Sequence, residues 1–111
     1  MYFDLDRKLV LEEAVKLPDG AGGFSQNWVA LGTLWAAIKP RSGRLGTELD
    51  MPTSEVKLRV VLRAAATGSS MRPKPGQRLV ESGRVYAIEA VGDVPGTPNF
   101  MECWVREEAA T

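Results

Sequence analysis

The sequence contains no histidine, only one cysteine and no net charge, because 14 lysines and arginines balance 14 aspartates and glutamates. The missing histidine removes the commonest general base and the commonest metal ligand of proteins. The lone cysteine, Cys103, excludes an internal disulfide bond, and we interpret it as a small apolar core residue. A free-standing nucleic-acid binder usually has a basic excess, so the charge balance argues against tight, generic binding to a phosphate backbone.

Long hydrophobic segments are also missing from the sequence. The first ten residues carry acids where a signal peptide has a basic region, and no apolar core follows them. No segment approaches the roughly 18 apolar residues that a transmembrane helix needs. We therefore expect a protein that is made and kept in the cytoplasm, or in an assembly built there, without contact to a membrane.

Patterns typical of catalytic or metal sites are equally scarce. The acidic pairs Glu12-Glu13 and Glu107-Glu108 consist of adjacent residues, which point to opposite faces of a strand and do not converge as an acid–base pair. The glycine-rich segment 20–23 lacks the helix and the lysine of a phosphate-binding loop. We expect no enzymatic activity, no metal and no cofactor.

Alternation of apolar and polar residues is the dominant pattern. Hydrophobic residues make up 44% of the 111 residues, enough for the core of one domain. Segment 27–39 fits a helix stripe and a strand equally well, and the glycine at position 32 together with the neighbouring strands favours a strand. The predicted strands are residues 8–17, 27–39, 55–63, 77–81, 84–91 and 99–106.

These elements predict a mostly β fold, a small barrel or sandwich of about six strands. We expect residues 1–111 to form a single domain, with loose termini at 1–7 and 107–111. The segment 40–54 has no apolar rhythm and is predicted to be one long loop between two strands. Structureless loops longer than about 12–15 residues are uncommon in compact domains and are usually functional or disordered.

Large apolar side chains fall on the outer faces of the predicted strands. On the second and last strands, one face supplies the core, which leaves tryptophans and a phenylalanine on the other face. Single exposed apolar residues are normal in small barrels, but large ones on two outer faces indicate a protein–protein interface. The candidate interface residues are Phe24, Trp35, Phe100 and Trp104.

Several motifs follow one another in a distinctive order. The chain contains Trp28, then LWAAIKP with SG close behind, then SEVKLRVVLR, MRPKPGQRLVESGRVYAIEAVGD and a last strand MECWVRE. Over residues 9–107 this order and spacing resemble the head–tail joining proteins of long-tailed phages and phage-like gene transfer agents. These proteins are also called head-closure or stopper proteins. Where many of them have a glutamate after the SG step, this chain has Arg44 and Leu45.

The resemblance implies a structural component of a virion or phage-like particle. It implies a small β-barrel that assembles as a ring of six or twelve copies, with the portal and adaptor above and tail-terminator or tail proteins below. In relatives, the loop between the second and third strands points into the central channel and helps to retain the double-stranded DNA. The corresponding gating residues here would be Arg41, Ser42, Gly43, Arg44, Leu45, Gly46, Thr47, Glu48, Leu49 and Asp50.

Two alternatives stay open at this stage. One is a neighbouring connector of the same particle, either a tail-terminator component or an adaptor, of which the adaptor should be mostly helical. The other, from a different class, is a small oligonucleotide-binding β-barrel. That function needs exposed aromatic residues beside a basic groove, which the zero net charge disfavours.

Overall fold

In a computed structural model that describes residues 4–40, 56–66 and 68–108, the chain is a closed antiparallel β-barrel. Neighbouring strands follow the order β1-β2-β3-β6-β5-β4, and β4 returns to β1. The prediction of a mostly β barrel is confirmed, and the ambiguous segment 27–39 is part of a strand. The strands of the described residues are β1 (Arg7–Pro18), β2 (Phe24–Pro40), β3 (Val56–Arg63), β4 (Arg78–Glu81), β5 (Arg84–Asp93) and β6 (Phe100–Glu108).

The strand ends extend further than the sequence pattern indicates. Arg7 begins β1 opposite Ala36, and Glu107 pairs with Val56 within β6. Three residues assigned to loose termini, Arg7, Glu107 and Glu108, are therefore paired, because backbone pairing continues after the apolar alternation stops. Pro40 likewise ends β2 instead of opening the loop. The rest of that predicted loop, residues 41–54, lies outside the described residues.

The barrel interior is filled by one face of each strand. All of these side chains are at most 3% exposed, and fully burying a large apolar side chain contributes about 1.5–3 kcal/mol. Cys103 is among them, as predicted, and burial raises the pKa of its thiol to about 12. The interior residues are Leu9, Leu11, Ala36, Val60, Leu62, Leu79, Tyr86, Ile88, Met101, Cys103 and Val105.

A second, smaller apolar cluster lies on the outside of the barrel. Ala37 of β2 and Val61 of β3 are directly opposite each other and face outward. Val94, at the start of the β5–β6 connection, covers them together with Leu5 and Phe100. The outer face of β2, β3 and β6 is therefore a packed surface at this point.

The connection between β3 and β4 packs against the middle of β2. Pro73 and Gln77 of this connection are buried, and the Gln77 carbonyl accepts a hydrogen bond from the backbone amide of Ile88 in β5 at 3.0 Å. Met71 lies so close to Gly32 that a Cβ atom built at position 32 would be 2.5 Å from the Met71 sulfur. The glycine in β2 thus makes room for this side chain, at the point where the β1–β2 register shifts by one residue.

Beyond this point the β1–β2 hairpin continues as a two-stranded ribbon. β4 pairs with β1 only over residues 10–12, and β3 pairs with β2 only over residues 36–40. We call residues 13–29, which include the hairpin turn, the arm. Its paired residues, 13–18 with 24–29, span about 20 Å at 3.3 Å per residue.

The turn of the arm is organised by Asp19. Its carboxylate accepts hydrogen bonds from the backbone amides of Ala21 at 2.8 Å and Gly23 at 3.0 Å. These bonds stabilise the ionised form and lower the pKa of the Asp19 carboxyl. Gly20 has a φ of 82°, a conformation that favours glycine.

Candidate interaction site

An open groove lies where β2 separates from β3. The two strands pair from Ala36 onward, whereas residues 33–35 of β2 diverge from the end of β3. The space between them measures about 520 Å³. We call it the Trp35 groove. It is lined by Asp4, Leu5, Thr33, Leu34, Trp35, Leu62, Arg63 and Phe100.

The groove has an apolar, aromatic floor with one charge of each sign. Trp35 is 54% exposed, which is unusual for so large an apolar side chain. The Arg63 guanidinium lies 5.6 Å from the centroid of the Phe100 ring, within cation–π distance. Asp4 contributes a carboxylate. This mixture suits a protein partner, because a groove that tracks single-stranded nucleic acid is basic.

The structure brings together two of the four predicted interface residues. Trp35 and Phe100 line the same groove, although they are far apart in the sequence. Phe24 lies instead at the tip of the arm and is 69% exposed. Trp104 is on the outer face of β6 opposite Arg59 and is half-buried. All ten predicted gating residues, 41–50, lie outside the described part of the chain.

Cross-strand ion pairs cover much of the outer face, and sequence reasoning did not identify them. Arg59 of β3 donates a hydrogen bond to the buried carboxylate of Glu102 on β6. Arg78 of β4 bonds to Glu12 of β1 at 2.7 Å, and its guanidinium lies 4.1 Å from the Trp28 ring centroid. The sequence shows charged residues alternating along the polar faces of the strands. Which acid pairs with which base depends on the register between neighbouring strands, which the sequence does not give.

One of these pairs joins the strands that close the barrel. Arg7 of β1 donates two hydrogen bonds to the Glu81 carboxylate at the end of β4, at 2.7 and 2.5 Å. The Arg7 guanidinium lowers the pKa of the Glu81 carboxyl below its ordinary value. The buried Tyr86 hydroxyl is 3.4 Å from the same carboxylate. The pair thus ties β1 to β4 at the barrel seam.

A β-bulge in β5 places Glu89 between two cations. The register between β5 and β6 shifts between Ile88 and Ala90, which leaves Glu89 as the extra residue. Its carboxylate is 3.5 Å from Arg106 of β6 and 4.0 Å from Lys57 of β3. The bulge therefore connects three neighbouring strands electrostatically.

The described residues contain neither a cluster of metal ligands nor a membrane-spanning helix. In residues 4–40, 56–66 and 68–108, no three acidic, cysteine or histidine side chains converge on a possible metal site. No helix in those ranges is long and apolar enough to cross a membrane. The buried carboxylate of Glu102 is bonded to Arg59, and Cys103 is a protonated core thiol.

A closed barrel with an inert core, an apolar groove and a projecting arm has the features of a small structural module that acts through its surfaces. The family model of phage head completion proteins matches residues 2–108. The chain therefore belongs to the phage head completion protein family. The predicted membership among head–tail joining proteins of phages and gene transfer agents is confirmed, and the protein is a structural virion component.

Among the solved structures that match this chain, two illustrate the shared fold. One is a chain of the virion of a native gene transfer agent particle, with 34% identity and a TM-score of 0.72, covering 99% of this chain and 100% of that chain. The other is protein SF1141 from Shigella flexneri 2a, with 18% identity and a TM-score of 0.66, covering 96% of each chain. At that identity the second similarity shows the fold alone. No curated protein matches the sequence.

Proposed function

We propose that the protein is a head–tail connector of the stopper type. In this proposal, copies form a ring between the portal and adaptor on one side and the tail on the other. The ring retains the packaged DNA until the tail is attached or the DNA is ejected. The observation that carries the proposal is the family match over residues 2–108, together with 34% identity to a chain of a gene transfer agent virion.

The barrel offers a firm base for a gating loop. Pro40 is paired with Leu58, and Val56 is paired with Glu107, so both roots of the intervening segment lie in hydrogen-bonded strands. If half of segment 41–55 leads away from the barrel and half leads back, the loop can reach roughly 20–25 Å from the barrel at about 3.3 Å per residue. In a ring, each copy would contribute this loop to the shared channel, where Arg41 and Arg44 would form circles of positive charge.

The charge balance fits a gate that releases DNA again. Each added phosphate contact strengthens DNA binding and makes it more sensitive to salt. A strongly basic ring would therefore hold the DNA and slow its passage, whereas this chain has equal numbers of basic and acidic residues. Closure in this proposal is mechanical: the loops fill the channel until another component moves them.

The gating role is tested by deleting residues 43–50 in producing cells and measuring the DNA content of assembled particles. We expect particles that contain the protein but lose their DNA before tails attach. A variant with the same eight residues in scrambled order keeps the bulk of the loop and should retain most of the DNA. Normal DNA retention and transfer by the deletion variant would contradict the gating role.

A further inference from the structure

The tip of the arm exposes apolar side chains on a weakly supported element. Phe24 is 69% exposed and lies opposite Pro18, and the adjacent Leu17 is 46% exposed. Isolated two-stranded hairpins are marginally stable in water, so such an element is usually stabilised by packing against something else. In the described residues, the tip packs against no third strand.

The Trp35 groove has the size and chemistry to receive this tip. Its volume of about 520 Å³ falls within the usual range of ligand clefts, roughly 300–1,000 Å³. Trp35 and Phe100 offer aromatic surfaces, against which a phenylalanine ring packs edge-to-face or offset. Phe24, at the paired position next to the turn, is the most exposed large apolar side chain of the described residues.

The arm of the same molecule cannot fill the groove. Phe24 and Trp35 lie on one continuous strand, β2, eleven residues apart. At about 3.3 Å per residue this separation is roughly 36 Å along a rigid, paired strand. An arm docked in this groove would therefore belong to another molecule.

The charges on the two surfaces are complementary. The arm carries Lys16 and Asp19 near its tip, and the groove carries Asp4 and Arg63. Asp19 is exposed and its lowered pKa keeps it ionised. Each surface thus carries one acidic and one basic side chain, and a docked tip that places Asp19 near Arg63 and Lys16 near Asp4 would pair opposite charges.

We propose that the arm of one copy docks in the Trp35 groove of the next copy, with Phe24 as the inserted side chain. The two contact surfaces are different parts of the chain, so the contact is head-to-tail. Such contacts produce closed rings when the rotation between neighbours closes. The inference rests on the ring of the proposed function and assigns the residues that would hold that ring together.

Site-specific crosslinking in assembled particles tests the contact directly. A photo-crosslinking amino acid at position 24 should join this chain to a second copy of itself, at the groove residues around Trp35, Arg63 and Phe100. The same probe at Val29, in the arm but away from the tip, is the matched control and should give at most a weak self-crosslink. Crosslinks from position 24 to another particle protein, or none, would overturn the proposal.

Charge variants give a second, independent readout. We expect Phe24→Ala and Arg63→Glu each to lower incorporation of the protein into particles at least about tenfold, as loss of an interface hot spot does. The double variant Lys16→Glu with Asp4→Lys exchanges the other charge pair without disturbing the turn at Asp19, and it should be incorporated better than Asp4→Lys alone. Normal incorporation of Phe24→Ala would overturn the docking model. Absence of the unmodified protein from particles would instead contradict the proposed function.

Discussion

The barrel and the arm are built from the same kind of sequence but are supported differently. Leu11 and Leu17 both belong to β1, yet Leu11 is fully buried and Leu17 is 46% exposed. At Leu11 the strand has β2 on one side and β4 on the other, whereas at Leu17 it has β2 alone. The alternation of apolar and polar residues thus produces a strand in both regions. Whether an apolar side chain of that strand is buried depends on how many neighbouring strands it has.

This difference has consequences for stability within one molecule. Barrel strands share a core, so losing one of them exposes residues on all the others. Arm residues contact mainly each other, and elements with few buried apolar contacts can open locally without global unfolding. We therefore expect the two regions to respond to substitution on different scales.

The largest effect should come from truncating a leucine of the barrel. We expect Leu11→Ala to lower the free energy of unfolding by about 2–5 kcal/mol, through lost burial and the remaining cavity. The matched arm variant, Leu17→Ala, should change it by less than about 0.5 kcal/mol, as is usual for surface substitutions. Urea denaturation followed by tryptophan fluorescence measures both. Similar losses for the two variants would show that Leu17 is packed as well as Leu11, and the contrast between arm and barrel would then be wrong.

A smaller effect is expected at Gly32, where the two regions meet. A methyl group there meets the sulfur and the terminal methyl of Met71, the flexible end of a side chain that can move, so we expect Gly32→Ala to cost about 1 kcal/mol, the low end of the usual cost of overpacking. Gly92 of β5 has nothing within 4 Å of an added Cβ, so Gly92→Ala is the matched control.

Thermal unfolding of the two alanine variants checks this expectation. Gly92→Ala should be neutral or stabilising by up to about 1 kcal/mol, because alanine restricts the unfolded chain. A Gly32→Ala protein that is as stable as Gly92→Ala would mean that Met71 moves aside without cost. The junction would then be looser than the barrel.

The strands and their inward faces could be predicted from the sequence, because apolar alternation depends only on local geometry. The odd residues of β6, for example, fill the core as the pattern indicates: Met101, Cys103 and Val105 are all buried. Segment 27–39 was ambiguous for the same local reason, since its apolar residues satisfy two periodicities. The tertiary neighbours resolved it in favour of a strand.

The groove and the arm could not be predicted, because they depend on where pairing stops. Trp35 and Phe100 line one groove because the pairing of β2 with β3 begins only at Ala36, which leaves the preceding residues of β2 apart from β3. No feature of residues 33–35 marks this separation, which is set by closure of the barrel as a whole. The bulge that positions Glu89 is likewise a property of the β5–β6 register. The sequence therefore predicted Trp35 and Phe100 as interface residues, but it did not predict that they line the same groove.

A modest effect is expected from the ion pair at the barrel seam. The pKa of Glu81 is lower in the folded protein, so its contribution to stability is present above its ordinary pKa and is lost as the pH falls through the folded value. Arg7 is 40% exposed at its side chain, so we expect Arg7→Met to cost less than about 1 kcal/mol at pH 7.

The pH profile distinguishes this pair from general charge effects. The difference in stability between the unmodified protein and Arg7→Met should shrink as the pH is lowered to 3, and also at high salt. Lys8→Met removes the same charge from the next, exposed position of β1 and should show a smaller difference at pH 7. If the difference in stability between the unmodified protein and Arg7→Met did not change with pH, Arg7 would stabilise the barrel through packing of its side chain and not through its charge.

The smallest global effect is expected at the tip of the arm, from Asp19→Asn. Asparagine keeps an oxygen that can accept the amides of Ala21 and Gly23 but does not titrate. In the unmodified protein, these turn hydrogen bonds should weaken as the pH falls through the lowered pKa of Asp19, and the two amide resonances should shift. In the variant, the same NMR titration should show no such step. Other carboxylates, Glu81 among them, titrate in the same acidic range and lower the melting temperature of both proteins alike, so the difference in melting temperature between the two proteins should stay constant over the Asp19 titration. A difference that followed the Asp19 titration would join the arm to the barrel in one cooperative unit, and the local opening expected of a two-stranded ribbon would then be wrong.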